Sequence, residues 1–83
     1  MIEVKSARYI SEYRLELEFS NGSVREVDLQ SHLTGSVFQP LRDKTYFSNF
    51  SVQFNTVAWS NGADFAPEFL FEIGTEVETK KVA

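Results

Sequence analysis

Alternation of apolar and polar positions is strictest at Arg14-Leu15-Glu16-Leu17-Glu18-Phe19. On an extended chain it puts Leu15, Leu17 and Phe19 on one side and Arg14, Glu16 and Glu18 on the other. Asn21-Gly22 comes next, a dipeptide suited to the two φ > 0 positions of a type I′ hairpin turn, and residues 23–29 return as the antiparallel partner. Ile2, Val4, Ala7 and Tyr9 mark an earlier strand over 2–10. A two-residue turn at Asn21-Gly22 sets Phe19 against Val24 and Glu18 against Arg25. Continued unbroken, that register buries Glu26 against Leu17. The inward positions then become Val27 and Leu29. The pattern therefore predicts a β-bulge near Arg25-Glu26, which returns Leu17 to Val27 and Leu15 to Leu29.

Beyond Leu29 the pattern loosens. Residues Gln30 to Leu33 fit one helical turn, and Thr34-Gly35-Ser36 a loop. Val37, Phe38 and Leu41 read as anchors of an irregular connection in which Pro40 discourages regular structure. Asp43 can cap a short helix reaching about Asn49, with Tyr46, Phe47 and Phe50 at helical spacing. Strands over 51–54 and 56–60 joined through Asn55-Thr56 would set Val52 opposite Trp59 and Phe54 opposite Val57. After Asn61-Gly62, either Asp64 or Ala66 caps a helix with Pro67 in its first turn and Glu68 at the positive end of its dipole. Phe65, Phe69, Leu70 and Ile73 give its apolar face, and Gly74 stops it. The whole predicts an α+β fold: a small antiparallel sheet of about five strands, two Asn-Gly turns and one or two short helices packed on it. Residues 1–74 form the domain, and 75–83 a flexible tail.

Composition narrows the function more than it names one. With 83 residues there is room for one domain, and 42% hydrophobic residues, including eight Phe, provide a globular core. The absence of Cys excludes a disulfide framework, a Cys-ligated zinc site and thiol catalysis, and fits a reducing compartment. No apolar run approaches the roughly 18–20 residues that span a bilayer, and the N-terminus lacks the basic leader and apolar stretch of a signal peptide. A cytoplasmic location is the expectation, with no membrane partner. The net charge of -4, with Lys and Arg scattered, gives no basic face for a phosphate backbone, so direct nucleic-acid binding is not expected.

The densest stretch is Trp59-Ser60-Asn61-Gly62-Ala63-Asp64-Phe65-Ala66-Pro67-Glu68. Here, and at Leu15 to Gly22, Arg25 to Leu29 and Val37-Phe38…Leu41…Phe47, the chain resembles the bacterial family known as domain of unknown function 2442. The resemblance runs over nearly all of residues 3–74. Position 60 departs from it, with a serine where many relatives carry proline. The resemblance implies a small α+β domain and brings no established activity. It also implies a recurrent gene neighbour, an arrangement like a two-component pair of the toxin–antitoxin kind.

Candidate chemistry is sparse. His32, the sole histidine, lies in a short polar segment with no positioned partner, so a surface or local-cap role outweighs a general-base one. Asp64 and Glu68 are four apart and could be imagined as a carboxylate pair, yet both sit where a helix start wants them for capping. Trp59 suits a binding platform or the core, and a strand position opposite Val52 favours the core. Asn21-Gly22 and Asn61-Gly62 lack the spacing of phosphate loops and read as turns. Glu16, Glu18, Glu26 and Asp28 form an acidic face that is either simply solvated or binds a basic protein. The expectation is a non-catalytic protein-interaction module, the acidic partner of a pair, using that face or an open strand edge. The same edge could pair two copies into a homo-oligomer. The alternative is a small-ligand domain using the corner of Trp59, Asn61, Gly62, Asp64, Pro67 and Glu68. No enzyme activity, metal or cofactor is expected.

Overall fold

Leu15, Leu17 and Phe19 are buried as their alternation predicts, together with Val4, Val27 and Leu29, and they build the main sheet of a small α+β fold. The computed structural model describes residues 1–77. Its strands are β1 (Val4–Ser11), β2 (Arg14–Phe19), β3 (Val24–Asp28), β4 (Ser51–Gln53), β5 (Thr56–Ala58) and β6 (Thr75–Glu76). Its helices are α1 (Lys44–Ser48) and α2 (Pro67–Ile73), with 3-10 turns at Gln30–His32 and Gln39–Arg42. A four-stranded antiparallel sheet has the order β1-β2-β3-β6, and β4 and β5 form a second, two-stranded sheet.

The β2–β3 hairpin turns by a different device from the one expected at Asn21-Gly22. Gly22 N–H donates to the Phe19 carbonyl at 2.9 Å, Phe19 N–H donates to Ser23 O at 2.8 Å, and Ser23 N–H donates to Asn21 Oδ1 at 3.0 Å. Only Gly22, at φ +87°, is left-handed within this turn. Ser20-Asn21-Gly22 is thus a three-residue loop held by an Asx turn rather than a type I′ pair. The extra residue shifts the register by one: Glu18 opposes Val24, Leu17 opposes Arg25 and Leu15 opposes Val27. Pairing runs uninterrupted through Glu16 and Glu26, so the bulge expected at Arg25-Glu26 is replaced by the longer turn. Arg25 consequently faces the core. Its guanidinium lies 3.6 Å from the centre of the Phe71 ring, and Nη1 donates to the Phe71 carbonyl at 2.8 Å. The aliphatic stem and cation–π contact make that position tolerable.

Trp59-Ser60-Asn61-Gly62-Ala63 repeats the same loop. Gly62 N–H donates to Trp59 O at 3.0 Å, Trp59 N–H to Ala63 O at 2.9 Å, and Ala63 N–H to Asn61 Oδ1 at 3.0 Å. The type I′ geometry appears where no glycine marks it, at Phe54-Asn55, with φ of +54° and +67°. β4 and β5 therefore turn one residue earlier than expected, and Val52 opposes Val57 rather than Trp59.

Helix signals divide similarly. Asp43 caps α1, its carboxylate accepting from Thr45 N–H at 3.0 Å. Lys44 Nζ lies 2.8 Å from Glu12, and this hydrogen bond raises the lysine pKa. The pair is exposed and adds little stability. Ala66, not Asp64, is the N-cap of α2, with no side-chain cap and with Pro67 at the helix start. Gly74 ends α2 at φ -72°, so left-handedness is not its reason. A Cβ there would stand 2.8 Å from Arg25 Cβ, and the glycine lets α2 close onto β3. Thr75 and Glu76, expected in the tail, pair with Glu26 and Arg25; tail positions 78–83 lie outside the described residues. Leu41 is buried as an anchor, Val37 is exposed, and Pro40 lies within a 3-10 turn instead of preventing one.

The second half of the core is aromatic. Phe47 meets Tyr9 and Tyr13 edge-on, with ring centres 6.1 and 5.4 Å away, and Trp59 at 5.7 Å. Trp59 also meets Phe65 at 6.0 Å, and Phe65 stacks on Phe69. The indole Nε1–H donates to the Phe47 carbonyl at 2.8 Å inside this cluster. Trp59→Ala should lower unfolding free energy in urea by about 3–5 kcal/mol, from the cavity and the stranded carbonyl together. A loss below about 1 kcal/mol would show that the ring is not the centre of the core.

Candidate functional site

The acidic residues of the β2–β3 hairpin do share a face, because Glu16 and Glu18 on β2 and Glu26 and Asp28 on β3 all point away from the core. Glu16 and Glu26 are direct cross-strand partners, a repulsive pairing. Two arginines relieve it: Arg8 reaches Glu16 at 3.2 Å and Arg14 reaches Glu26 at 3.5 Å. Glu18 accepts from Ser6 Oγ at 3.2 Å, and Asp28 accepts from Gln30 N–H at 3.0 Å. The face is a lattice of alternating charge with an acidic excess, and Glu18 and Asp28 are its most open carboxylates.

The second candidate, the Trp59–Glu68 corner, is built for structure. Trp59 is buried. Asn61 spends its side chain on Ala63 N–H and, through Nδ2, on the Val37 carbonyl at 2.8 Å. Gly62 closes the turn and Pro67 starts α2, while Asp64 and Glu68 are exposed. Cavities open elsewhere. One of about 600 Å³ is lined by Arg14, Glu26, Asp28, His32 and Glu76 among others. A second of about 300 Å³ lies among Tyr13, Gln30, Leu33 and Arg42. The corner residues line neither. His32 packs its ring edge-on against Phe69, with centres 5.0 Å apart. Among the described residues no group of three or more His, Asp or Glu is placed to hold a metal ion, and no helix is long and apolar enough to cross a membrane.

Sequence reasoning overlooked the most exposed aromatic. Phe54 is 91% exposed at the tip of the β4–β5 hairpin, in a left-handed conformation that bulky side chains avoid. Val52, beside it, is also exposed. One signal was present in the sequence: no Asp, Glu, Lys or Arg occurs between Lys44 and Asp64. The hairpin is therefore an uncharged surface inside the longest run of the chain without Asp, Glu, Lys or Arg.

The model of the family described as "Protein of unknown function (DUF2442)" matches residues 4–76. No curated protein and no solved structure matches the chain. Because Asp64 caps nothing, Asp64→Ala should change stability in urea by less than about 0.5 kcal/mol. A loss above about 1 kcal/mol would restore it as an N-cap.

Proposed function

We propose that this chain, which belongs to the DUF2442 family, is a non-catalytic protein-interaction module whose contact surface is the β4–β5 hairpin. The observation that carries the reading is Phe54. A phenylalanine in left-handed backbone costs about 1–2 kcal/mol relative to glycine, and in water it recovers none of this by burial. An exposed aromatic flanked by uncharged residues is the composition of an interface anchor. Val52 and the uncharged Ser51, Gln53 and Asn55 supply those flanks.

The charged sheet face has a different part. In the two-component, toxin–antitoxin-like arrangement that the family resemblance implies, this chain is the acidic member. Glu18 and Asp28 would speed the approach of a basic counterpart without supplying most of the affinity. The ligand-binding alternative gains no support from a corner whose Trp59 and Asn61 are spent on packing and turn closure.

Site-specific photo-crosslinking tests the assignment. A benzophenone side chain replacing Phe54 should give a discrete protein adduct in native lysate that persists at high salt, since no ion pair holds the hairpin. A probe replacing Glu18 should give a weaker, salt-sensitive adduct. Strong crosslinking from position 18 alone would move the contact surface to the acidic face.

A further inference from the structure

The two Ser-Asn-Gly loops share one backbone geometry and differ at one side chain. In each, the glycine N–H donates to the carbonyl of the aromatic that precedes the serine, Gly22 to Phe19 at 2.9 Å and Gly62 to Trp59 at 3.0 Å. In each, the asparagine Oδ1 accepts at 3.0 Å from the N–H two residues on, that of Ser23 or of Ala63. A Cβ on either glycine would meet nothing within 4 Å, so both loop tips are open. The asparagine amide nitrogens are treated differently. Asn61 Nδ2 donates to the Val37 carbonyl at 2.8 Å, while Asn21 Nδ2 has no protein partner among the described residues.

Asparagine followed by glycine can react with its own backbone. The Gly22 nitrogen, unobstructed by a Cβ, is placed beside the Asn21 side-chain carbon Cγ and can attack it. The N–Cγ bond forms as the Cγ–Nδ2 bond breaks, and ammonia departs with the proton of the Gly22 amide. Ser23 N–H, already bonded to Oδ1, stabilises the negative charge that develops on that oxygen. Water then opens the cyclic imide. Cleavage of its Cγ–N bond leaves aspartate, and cleavage at the Asn21 main-chain carbonyl leaves isoaspartate, with the backbone rerouted through Cβ and Cγ. We propose that Asn21 is a site of this self-modification and that Asn61, in the same loop geometry, is protected from it by the Val37 carbonyl.

To reach the attacking geometry the asparagine side chain must rotate and the glycine N–H must leave its carbonyl. Asn61 must also give up its bond to Val37, within a loop seated between buried Trp59 and buried Ala63. A local opening with one further bond to break is sampled less often. The products bear on the main sheet. Glu18 and Val24 are the strand pair nearest the Asn21 loop, so aspartate at position 21 sets a further carboxylate at the end of the acidic face. Isoaspartate lengthens the loop that sets the β2–β3 register and turns the oxygen used by Ser23 N–H into part of the main chain.

The test incubates the unmodified protein at mildly alkaline pH in heavy-oxygen water, once native and once in concentrated guanidinium. Only carboxylates formed during the incubation carry the label. Trypsin releases Asn21 in the peptide Leu15–Arg25 and Asn61 in a fragment beginning at Thr45, and fragmentation mass spectrometry reads each site. In denaturant, where the shared Ser-Asn-Gly sequence governs the chemistry, the two sites should convert at nearly equal rates. In the native protein Asn21 should convert about five to ten times faster than Asn61, the factor that one additional hydrogen bond supplies. A native rate ratio no greater than the denatured one, or no heavy-oxygen uptake at Asn21 in the native protein, overturns the assignment.

Discussion

The Trp59 indole binds the two halves of this chain to each other. Its ring fills the space between Phe47, Phe50 and Phe65, and its N–H satisfies the carbonyl of Phe47 at the buried side of α1. In a domain this small a single cluster of aromatics supplies much of the apolar area that offsets chain entropy. Placing Trp59 also fixes the next segment of chain, because the Ser60-Asn61-Gly62 loop and the Trp59–Ala63 bonds direct the backbone toward α2. α2 in turn lies on Arg25 through Phe71 and Gly74, which closes the helix onto the main sheet.

With β5 and Trp59 committed to the core, β4 is left outside it. The main sheet's edges are broken, shortened or charged, whereas β4 is regular and neutral and ends at an aromatic in left-handed backbone. Among the described residues, Glu12, Phe54 and Asn55 are the non-glycine residues on left-handed backbone, and Phe54 is the bulky apolar one.

Legibility tracked the strength of local chemistry. Strict alternation placed β2, the Asp43 side chain placed the start of α1, and the apolar positions of both hairpins placed much of the core. The hairpin registers were not legible from Asn-Gly alone. Asn21 and Asn61 each turn their side-chain oxygen to the N–H two residues on, which favours a three-residue loop closed by glycine over a two-residue one. The repeated aromatic-Ser-Asn-Gly sequence at Phe19 and Trp59 was the available clue, since one spelling gives one geometry. Gly74 is legible as a stop, but its cause is a contact with Arg25 that only the tertiary fold reveals. For the site, Glu16, Glu18, Glu26 and Asp28 were legible as one face, whereas Arg8 and Arg14 among them depended on the register of β1 and β3. Phe54 escapes a reading that sets the turn one residue late, which gives an exposed ring an imaginary partner in Val57.

Phe54 holds its exposed ring on left-handed backbone that bulky residues avoid, in a turn whose Asn55 carbonyl accepts from Val4 N–H at 2.9 Å, and the proposed function stands on that ring. The most direct test replaces the turn with its preferred residues, Phe54→Asn together with Asn55→Gly, and measures unfolding free energy by chemical denaturation. A ring that serves only a partner predicts a gain of about 1 kcal/mol, because Asn-Gly adopts type I′ geometry with little strain. A loss of similar size would mean that Phe54 supports the fold, and the case for an interaction surface at this hairpin would fail.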